Sequence, residues 1–363
     1  MTKIDLTDQI IKVLRGLILA KRQEIRTYLE NTRQMQVGSI TDCEISSCSK
    51  YKGYGGTTFV VEAKLQTVQM GMMTGGMVIK FANDVHDEVE NARKLHAILN
   101  TRQKEWDEIR EKGFLLPDSM KHFPERIYAP GVLGIHEKDN ILMLEVVDQV
   151  VSLSESIEVG GLREKLNIVG YSLARLHGFK EALRVDVSIY EPLLSHIRPH
   201  IPDQTSEFWR KTLGESYGAI SFIHGDSHLQ NLLRSGTNLA WIDAMLVPNS
   251  DRMDDVGYAL SYLLQKEARD AVYSGRNYDV NTLLQYYSSA LVKEWIPDCL
   301  FGYKAIVDLP PLYNNVMSID FFLGAHLIVR SGLWQDQKMV YLLKELGKYF
   351  LVHAPILTGF HPP

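Results

Sequence analysis

Apolar residues near the start of the chain recur three and four positions apart, which predicts an amphipathic helix within residues 1–36. The pattern then changes to β-branched runs and glycines, and it returns to helical spacing over residues 84–99. These β-type runs and two later ones predict four strands, at TTFVVEAKL (57–65), GGMVIKFA (75–82), GVLGIHE (131–137) and NILMLEVV (140–147).

Helical spacing dominates from about residue 150 to the end of the chain. The exception is the segment 220–246, where two short apolar runs bracket a polar turn. We therefore expect an α+β fold in which a small β-rich lobe precedes a larger, mainly helical lobe. The predicted organisation is an N-terminal helix in 1–36, an N-terminal lobe in 37–147 with a charged surface insertion at 101–125, and a C-terminal lobe in 148–363.

Composition narrows the possible partners but identifies no activity. The 363 residues carry a net charge of −5, and the isoelectric point is near 6.2. This gives no electrostatic reason to expect nucleic acid or an anionic membrane surface. Three cysteines without Cys-x-x-Cys spacing argue against a disulfide framework or a thiolate metal site. Since no apolar stretch approaches the length of a membrane span, we expect a cytoplasmic protein.

The most informative segment is HGDSHLQN (224–231), which is followed twelve residues after its last member by Asp243 in LAWID. This is the spacing H-x-D-x-x-x-x-N of a kinase catalytic loop, with a second acidic residue at the end of a β-type run. Phosphoryl transfer from ATP needs a carboxylate that orients the attacking hydroxyl, and oxygen ligands that hold Mg²⁺ against the phosphates. Asp226 is the candidate for the first role, and Asn231 and Asp243 for the second.

A second group of candidates lies in the β-rich lobe. The glycine-rich segment KYKGYGGTT (50–58) precedes a strand, and backbone N–H groups there could approach phosphates closely. Lys80 ends an apolar strand, in the position of a kinase lysine that contacts the α- and β-phosphates. On the following helix, Glu90 is the predicted partner of Lys80, with Glu88 as the alternative.

These motifs resemble those of the aminoglycoside phosphotransferase and choline kinase-like family, small-molecule kinases with a protein-kinase-like fold. The resemblance extends from about residue 46 to residue 264. SLARLHG (172–178) is similar to the family's helix ending in Leu-His, FIHGDSHLQNLL to its catalytic loop, and WIDAML to its metal-binding strand. DRMDDVG (251–257) is similar to the next segment, in which the aspartate at position 255 usually braces the catalytic loop.

The resemblance implies a two-lobed molecule with the ATP site in the crevice between the lobes. It implies that Asp226 is the catalytic base, that Asn231 and Asp243 are the Mg²⁺ ligands, and that Lys80 with Glu90 holds the phosphates. The nucleotide would also contact the turn at Gly55, Gly56 and Thr57 and the hinge at 144–147, which includes Glu145 and Val147. His177 and His224 would be structural.

The acceptor is expected to be a small-molecule hydroxyl: a sugar, an amino sugar or an amino alcohol. Protein kinases are disfavoured because Gly225 replaces their arginine and because Asp-Phe-Gly and Ala-Pro-Glu are absent. The alternative is a nucleotide-binding pseudokinase that acts through partner contacts. It is supported by Ala244-Met245 after Asp243, where the family often has an aromatic residue and then Gly or Glu. Transfer of a nucleotidyl group is a third possibility.

Overall fold

The computed structural model describes residues 8–32, 34–53, 56–112, 123–146, 151–153, 161–178, 185–215, 219–274, 279–304 and 313–357. Its strands are β1 (Ile40–Gly53), β2 (Gly56–Thr67), β3 (Gly71–Ala82), β4 (Arg126–Tyr128), β5 (Val132–His136), β6 (Ile141–Glu145), β7 (Val151–Ser152), β8 (Ala219–Ile223), β9 (Leu232–Ser235), β10 (Asn238–Trp241) and β11 (Val247–Asp251). Its α-helices are α1 (Asp8–Ala20), α2 (Arg22–Thr32), α3 (Val85–Glu111), α4 (Leu162–His177), α5 (Glu191–Ile197), α6 (Asp203–Glu215), α7 (Arg252–Tyr273), α8 (Val280–Ala290), α9 (Ile296–Lys304), α10 (Tyr313–Ser331) and α11 (Gln337–Leu357).

The chain divides into two compact units. The first contains Met1–Ile98, Tyr128–Val150 and Ala240–Asp243, and the second contains Leu99–Ile127, Val151–Leu239 and Ala244–Pro363. A β-rich N-terminal part is thus followed by a mainly helical C-terminal part, which confirms the predicted α+β class.

The first unit is built on a five-stranded antiparallel sheet in the order β1-β2-β3-β6-β5. Alternate residues of β2, such as Val61 and Ala63, are fully buried, as expected for a sheet with one face on the core. Residues 71–74, which come before the predicted strand at 75–82, also belong to β3 and pair with β2. The loop between these two strands is consequently only three residues long, from Val68 to Met70.

Helices cover the buried face of this sheet. The predicted N-terminal helix is two helices, because the α-helical run stops at Ala20 and starts again at Arg22. Leu14 and Ile18 of α1 and Ile25 of α2 are buried in the same apolar cluster as the sheet residues Val61 and Ile79. Burial of these apolar residues of α1 and α2 against the sheet is therefore the main force that drives the packing. It contributes about 25 cal/mol per Å² of apolar surface removed from water.

The segment predicted as a charged insertion at 101–125 has a different structure in its first part. Helix α3 continues through it to Glu111, and Trp106 is buried. Its ring lies 4.6 Å from the guanidinium carbon of Arg175 on α4, within the second unit. The charged residues of 101–111 thus cover one side of a helix whose other side packs, as is usual for an amphipathic helix. Residues 113–122 of the predicted insertion lie outside the described residues.

The second unit is dominated by helix pairs, in which α4 packs on α9, α7 on α10, and α10 on α11. Helices α4 and α9 approach closely because both carry glycine at the contact. A Cβ atom at Gly170 would lie 1.8 Å from the carbonyl oxygen of Cys299, and one at Gly302 would lie 1.9 Å from that of Asn167. This contact fixes α4, whose last residue is His177.

Two small sheets frame the candidate loop at 224–231. Strand β8 pairs with β11 in an antiparallel ribbon, and β7 pairs with β9 at one edge of a sheet in the order β4-β10-β9-β7. The loop therefore begins where β8 ends, at Ile223, and it ends where β9 begins, at Leu232. Among the described residues, no helix is both long enough and apolar enough to cross a membrane.

Candidate active site

The loop at 224–231 is held by one buried carboxylate in the first turn of α7. Asp255 accepts the backbone N–H of His224 at 2.7 Å and that of Gly225 at 2.9 Å. Its own carbonyl oxygen accepts the hydroxyl of Ser227 at 2.7 Å. These three contacts fix the start of the loop relative to α7, so Asp255 braces the loop as the resemblance implied.

His177 supports the same carboxylate from α4. Its Nε2 lies 2.9 Å from Asp255 Oδ2, and its Nδ1 lies 2.8 Å from the hydroxyl of Tyr303. Burial lowers the pKa of His177, so we assign a neutral ring in which Nε2–H donates to Asp255 and Nδ1 accepts from Tyr303. Burial alone would raise the pKa of Asp255, but the donors from His177 and His224 outweigh it and hold that pKa below its usual value.

Gly225 allows the loop to turn sharply directly before Asp226. Its φ is +77°, a conformation that L side chains rarely adopt. A Cβ atom there would also lie 3.0 Å from Val247 Cγ2 and 3.2 Å from Met245 Cβ. The absence of an arginine at this position, noted in the sequence, thus has a conformational cause.

Both oxygens of the Asp226 carboxylate accept hydrogen bonds. Asn231 Nδ2 donates to Oδ2 at 2.9 Å and also to the backbone carbonyl of Asp226 at 2.9 Å. The hydroxyl of Tyr258, on α7, donates to Oδ1 at 2.5 Å. Because each carboxylate oxygen can accept two hydrogen bonds, acceptor positions remain for a substrate hydroxyl. The carboxylate is therefore oriented by this chain and retains the capacity to accept a proton.

Tyr258 is a site residue that the sequence interpretation missed. It stands four residues after Asp254 and four before Tyr262, so the three lie along one face of α7. This spacing is visible in the sequence, but it resembles that of an ordinary amphipathic helix. Only the fold shows that the face reaches the loop at 224–231.

A second group of charges lies within the first unit, on β3, α3 and the residues after β10. Lys80 Nζ is 2.8 Å from Glu88 Oε2 and 3.2 Å from Asp243 Oδ1. The Lys80 side chain is 14% exposed. Burial alone would lower the pKa of Lys80, but the two carboxylates outweigh that effect and raise it. Lys80 is therefore a mostly buried ammonium cation held in one place.

Asp243 has φ of +54°, in the left-handed region that is sparsely populated by residues other than glycine. Such conformations cost on the order of 1–2 kcal/mol and are enriched at active sites. Its carboxylate is half exposed, so the ion pair with Lys80 leaves acceptor capacity on this side chain. The prediction that Asp243 carries chemistry agrees with this backbone conformation.

The predicted pairing of Lys80 with Glu90 is wrong. Glu90 pairs instead with Lys94, one turn further along the exposed side of α3, and Glu88 is the partner of Lys80. The reason is helical geometry at about 100° per residue. Glu88 lies beside Val85 and Leu95, which are buried, whereas Glu90 projects from the opposite face.

The remaining predicted nucleotide contacts are only partly described. Gly56 and Thr57 begin β2 and pair with Gly53 and Lys52 of β1, while Gly55 lies outside the described residues. In the predicted hinge, the N–H of Glu145 donates to the carbonyl of Gly131 and its Oε2 accepts the hydroxyl of Tyr28. Val147 also lies outside the described residues.

Side-chain oxygens of the candidate site fit the coordination preferences of Mg²⁺. No group of three or more His, Cys, Asp or Glu side chains that could hold a metal occurs in the described residues. Mg²⁺ does not need one, because it binds through one or two protein oxygens together with phosphates and water. Asn231 uses its NH₂ group on Asp226, so its Oδ1 points elsewhere and receives no donor from a described residue. These hard oxygen groups fit Mg²⁺.

Comparison with known proteins gives structural matches alone, since no family model and no curated protein matches the sequence. A choline/ethanolamine kinase family protein from Mesorhizobium loti is 11% identical with a TM-score of 0.48, over 94% of this chain and 98% of that one. Amicoumacin kinase in complex with AMP-PNP and Ca²⁺ is 12% identical with a TM-score of 0.44, over 94% and 97%. Choline kinase from Cryptosporidium parvum is 12% identical with a TM-score of 0.43, over 97% and 98%.

These matches come from the group of small-molecule kinases that the sequence motifs resemble. At this identity and these TM-scores they do not identify an activity, so the function has to be argued from the side chains of this chain.

Proposed function

We propose that this protein is an ATP- and Mg²⁺-dependent phosphotransferase that moves the γ-phosphate to a hydroxyl group of a small molecule. The observation that carries the proposal is the state of Asp226. Its carboxylate is oriented through both oxygens by Asn231 and Tyr258, in a loop held by the buried Asp255. Phosphoryl transfer depends mainly on positioning and charge neutralisation, so an oriented carboxylate is the group that the reaction requires.

In this proposal, Asp226 accepts the hydrogen bond of the acceptor hydroxyl. It takes the proton as the bond from the hydroxyl oxygen to the γ-phosphorus forms and the bond from that phosphorus to the bridging oxygen breaks, with ADP leaving. Lys80 neutralises negative charge on the phosphates, and Glu88 keeps its ammonium group in place. Asn231 and Asp243 would hold Mg²⁺ through side-chain oxygens. When bound, the metal supplies charge neutralisation at the phosphate oxygens of ATP. Gly55, Gly56, Thr57, Glu145 and Val147 remain the predicted contacts of the nucleotide.

The acceptor class is a sugar, an amino sugar or an amino alcohol. A polycationic acceptor would need several carboxylates facing the transfer site. On the described face of α7 next to Asp226, Tyr258 and Tyr262 lie with the guanidinium of Arg330. The carboxylate on the same face, Asp254, is already paired with His326 at 2.6 Å. We therefore place acceptors with no charge or a single charge first among the candidates.

The experiment is a turnover assay with Mg²⁺ and ATP across a panel of sugars, amino sugars and amino alcohols. Product mass decides the reaction, because phosphoryl transfer adds one phosphate and nucleotidyl transfer adds AMP. Asp226→Asn should reduce kcat by roughly 10²- to 10⁴-fold while ATP affinity is retained. If ATP binds and no acceptor raises turnover above the Asp226→Asn background, the pseudokinase alternative replaces the proposal.

A further inference from the structure

The ring of Tyr258, whose hydroxyl donates to Asp226, contacts a residue far away in the sequence. Arg330, near the end of α10, places its guanidinium carbon 4.5 Å from the centre of the Tyr258 ring. The same carbon lies 4.8 Å from the centre of the Tyr262 ring. One guanidinium group thus contacts two tyrosines that are one turn apart on α7, which is a favourable cation–π arrangement.

The second tyrosine leads back to the same carboxylate. Tyr262 stacks on His228, with ring centres 4.3 Å apart and an angle of 19° between the planes. His228 Nε2 lies 3.6 Å from Asp226 Oδ2. Tyr258 therefore donates a hydrogen bond to one oxygen of Asp226. Tyr262 stacks on His228, and His228 lies next to the other oxygen. Arg330 contacts both tyrosines, so it belongs to both of these chains of contacts to Asp226.

Arg330 is fixed in this position and is costly to bury. Its Nε donates to Ser261 at 3.0 Å and its Nη1 to Gln265 at 3.1 Å, so α7 holds it from two further side chains. The residue is only 6% exposed, and no carboxylate among the described residues pairs with it. Its Nη2 is buried without an acceptor in the described part of the chain. An apolar side chain could fill this space without burying a charge.

The charge has a specific effect on Tyr258. A cation over the ring withdraws electron density from the phenol, which makes its O–H a stronger hydrogen-bond donor. Burial raises the pKa of Tyr258 despite the opposing charge of Arg330, so the hydroxyl stays protonated and donates a hydrogen bond to Asp226. The short 2.5 Å contact between Tyr258 and Asp226 Oδ1 is consistent with a strengthened donor.

We propose that Arg330 is a positioning residue, which acts through Tyr258 and through Tyr262 with His228 to fix the direction of the Asp226 carboxylate. This rests on the proposed function, because it assigns to Asp226 the orientation of an acceptor hydroxyl. Arg330 does not touch the reacting atoms. Its contribution is to remove rotational freedom from the side chain that does, which is a recognised source of rate acceleration.

The kinetic test uses Tyr258→Phe, Arg330→Met and their double variant, with Arg269→Met and Tyr286→Phe as exposed controls on α7 and α8. Each test substitution should lower kcat by roughly tenfold to hundredfold and leave the KM for ATP unchanged. Since both act through Asp226, the double variant should lose no more than the worse single variant. In the Asp226→Asn background, neither should have a further effect. Independent, multiplying losses would overturn the proposal.

A spectroscopic test is independent of turnover. In protein labelled with ¹³C at the tyrosine Cζ atoms, the Tyr258 signal is identified by its loss in Tyr258→Phe. This signal should move in both Asp226→Asn and Arg330→Met, while the Tyr286 signal stays in place. A Tyr258 signal that ignores either substitution overturns the proposal even in an active kinase. If the signal moves as expected and no acceptor is phosphorylated, the proposed function fails and the positioning role of Arg330 stands.

Arg330→Lys is a second variant that keeps the proposal testable if Arg330→Met does not fold. It keeps the positive charge and loses the flat group that lies between two rings. It should therefore recover folding, measured as the melting temperature, and only part of kcat. Full recovery of kcat by lysine would show that charge alone matters and would overturn a positioning role based on stacking.

Discussion

Asp255 and His177 form a fully buried hydrogen-bonded pair, with His177 Nε2 2.9 Å from Asp255 Oδ2 and both side chains 0% exposed. The same carboxylate holds the backbone of His224 and Gly225. One aspartate therefore links α4, α7 and the start of the candidate catalytic loop, and both stability and activity should depend on it.

Replacing Asp255 by alanine should destabilise the protein by about 3–5 kcal/mol, because His177 and two backbone N–H groups would lose their buried acceptor. Urea unfolding measures this change. Asp270→Ala, which removes an exposed carboxylate of the same helix, should stay within about 0.5 kcal/mol of the parent protein. Equal effects of the two substitutions would contradict the bracing role of Asp255.

The buried, neutral His177 predicts a contribution to stability that acid removes. Its folded-state pKa is lowered from 6.5, so the unfolded chain binds the proton more readily. The contribution of His177 should therefore be fully present above pH 6.5 and should be lost as the pH decreases below it, by at most about 1.4 kcal/mol per pH unit. Asp320, whose pKa burial raises to about 8, acts in the opposite direction over this range and is present in the parent and in any His177 variant. Asp255 adds nothing in this range, because its lowered pKa moves its own loss to below pH 3.8.

Unfolding free energies measured between pH 5 and 7 test this prediction. His177→Gln keeps a donor for Asp255 and removes the titrating group, so its slope should be shallower than that of the parent. His200, whose pKa burial also lowers, is present in both proteins and cancels in the comparison. An unchanged slope in the variant would mean that another group causes the acid sensitivity.

Gly225→Ala should cost about 1–2 kcal/mol or more, since a side chain at φ of +77° is strained and its Cβ atom crowds Val247. It should also lower kcat, because Asp226 follows directly. Gly214→Ala is the matched control: this glycine lies in α6 and has nothing within 4 Å of the added Cβ atom. There alanine should stabilise by about 0.5–1 kcal/mol. In chemical denaturation, the free energy of unfolding should decrease in Gly225→Ala and increase in Gly214→Ala.

The stabilities of two variants at position 243, one with glycine and one with alanine, should differ by the cost of the backbone conformation at this position. Asp243→Gly and Asp243→Ala both remove the carboxylate and its pair with Lys80, so both should abolish turnover. Glycine tolerates φ of +54° and alanine does not, so the glycine variant should be the more stable by about 1 kcal/mol. At an ordinary helical position the order would be reversed. Thermal unfolding beside the turnover assay measures both effects.

Separate substitution of Glu88 and Glu90 on α3 should distinguish the partner of Lys80 from its neighbour. Glu88→Gln frees Lys80 from its 2.8 Å contact and should raise the KM for ATP about threefold or more. Glu90→Gln removes only a surface pair with Lys94 and should leave KM unchanged. A larger effect at Glu90 than at Glu88 would contradict the assigned pairing.

The fold class was accessible from the sequence because strands and amphipathic helices differ in the period of their apolar residues. The four predicted strands of the first unit all exist, and the loop at 224–231 stands between strands as its flanking apolar runs indicated. The choice between Glu88 and Glu90 was also decidable. It needed the angular position of each residue on α3 relative to the buried Val85 and Leu95.

Other features were not readable from the sequence alone. Tyr258 and Arg330 are 72 positions apart, and nothing local to either one indicates that α7 and α10 bring them together over Asp226. The extension of α3 through the charged stretch was missed for a related reason. Its charges suggested a surface insertion, whereas the helix is anchored there by the single buried ring of Trp106.

The amide group of Asn231 gives the site a direction. Its nitrogen end is committed to Asp226, so the oxygen end must face the other way. A positive charge arriving at that oxygen would draw electron density through the amide and make its N–H groups better donors. The hydrogen bonds from Asn231 to Asp226 would then be stronger while the cation is bound. An aspartate at position 231 would lose this polarity and add a second negative charge beside the first.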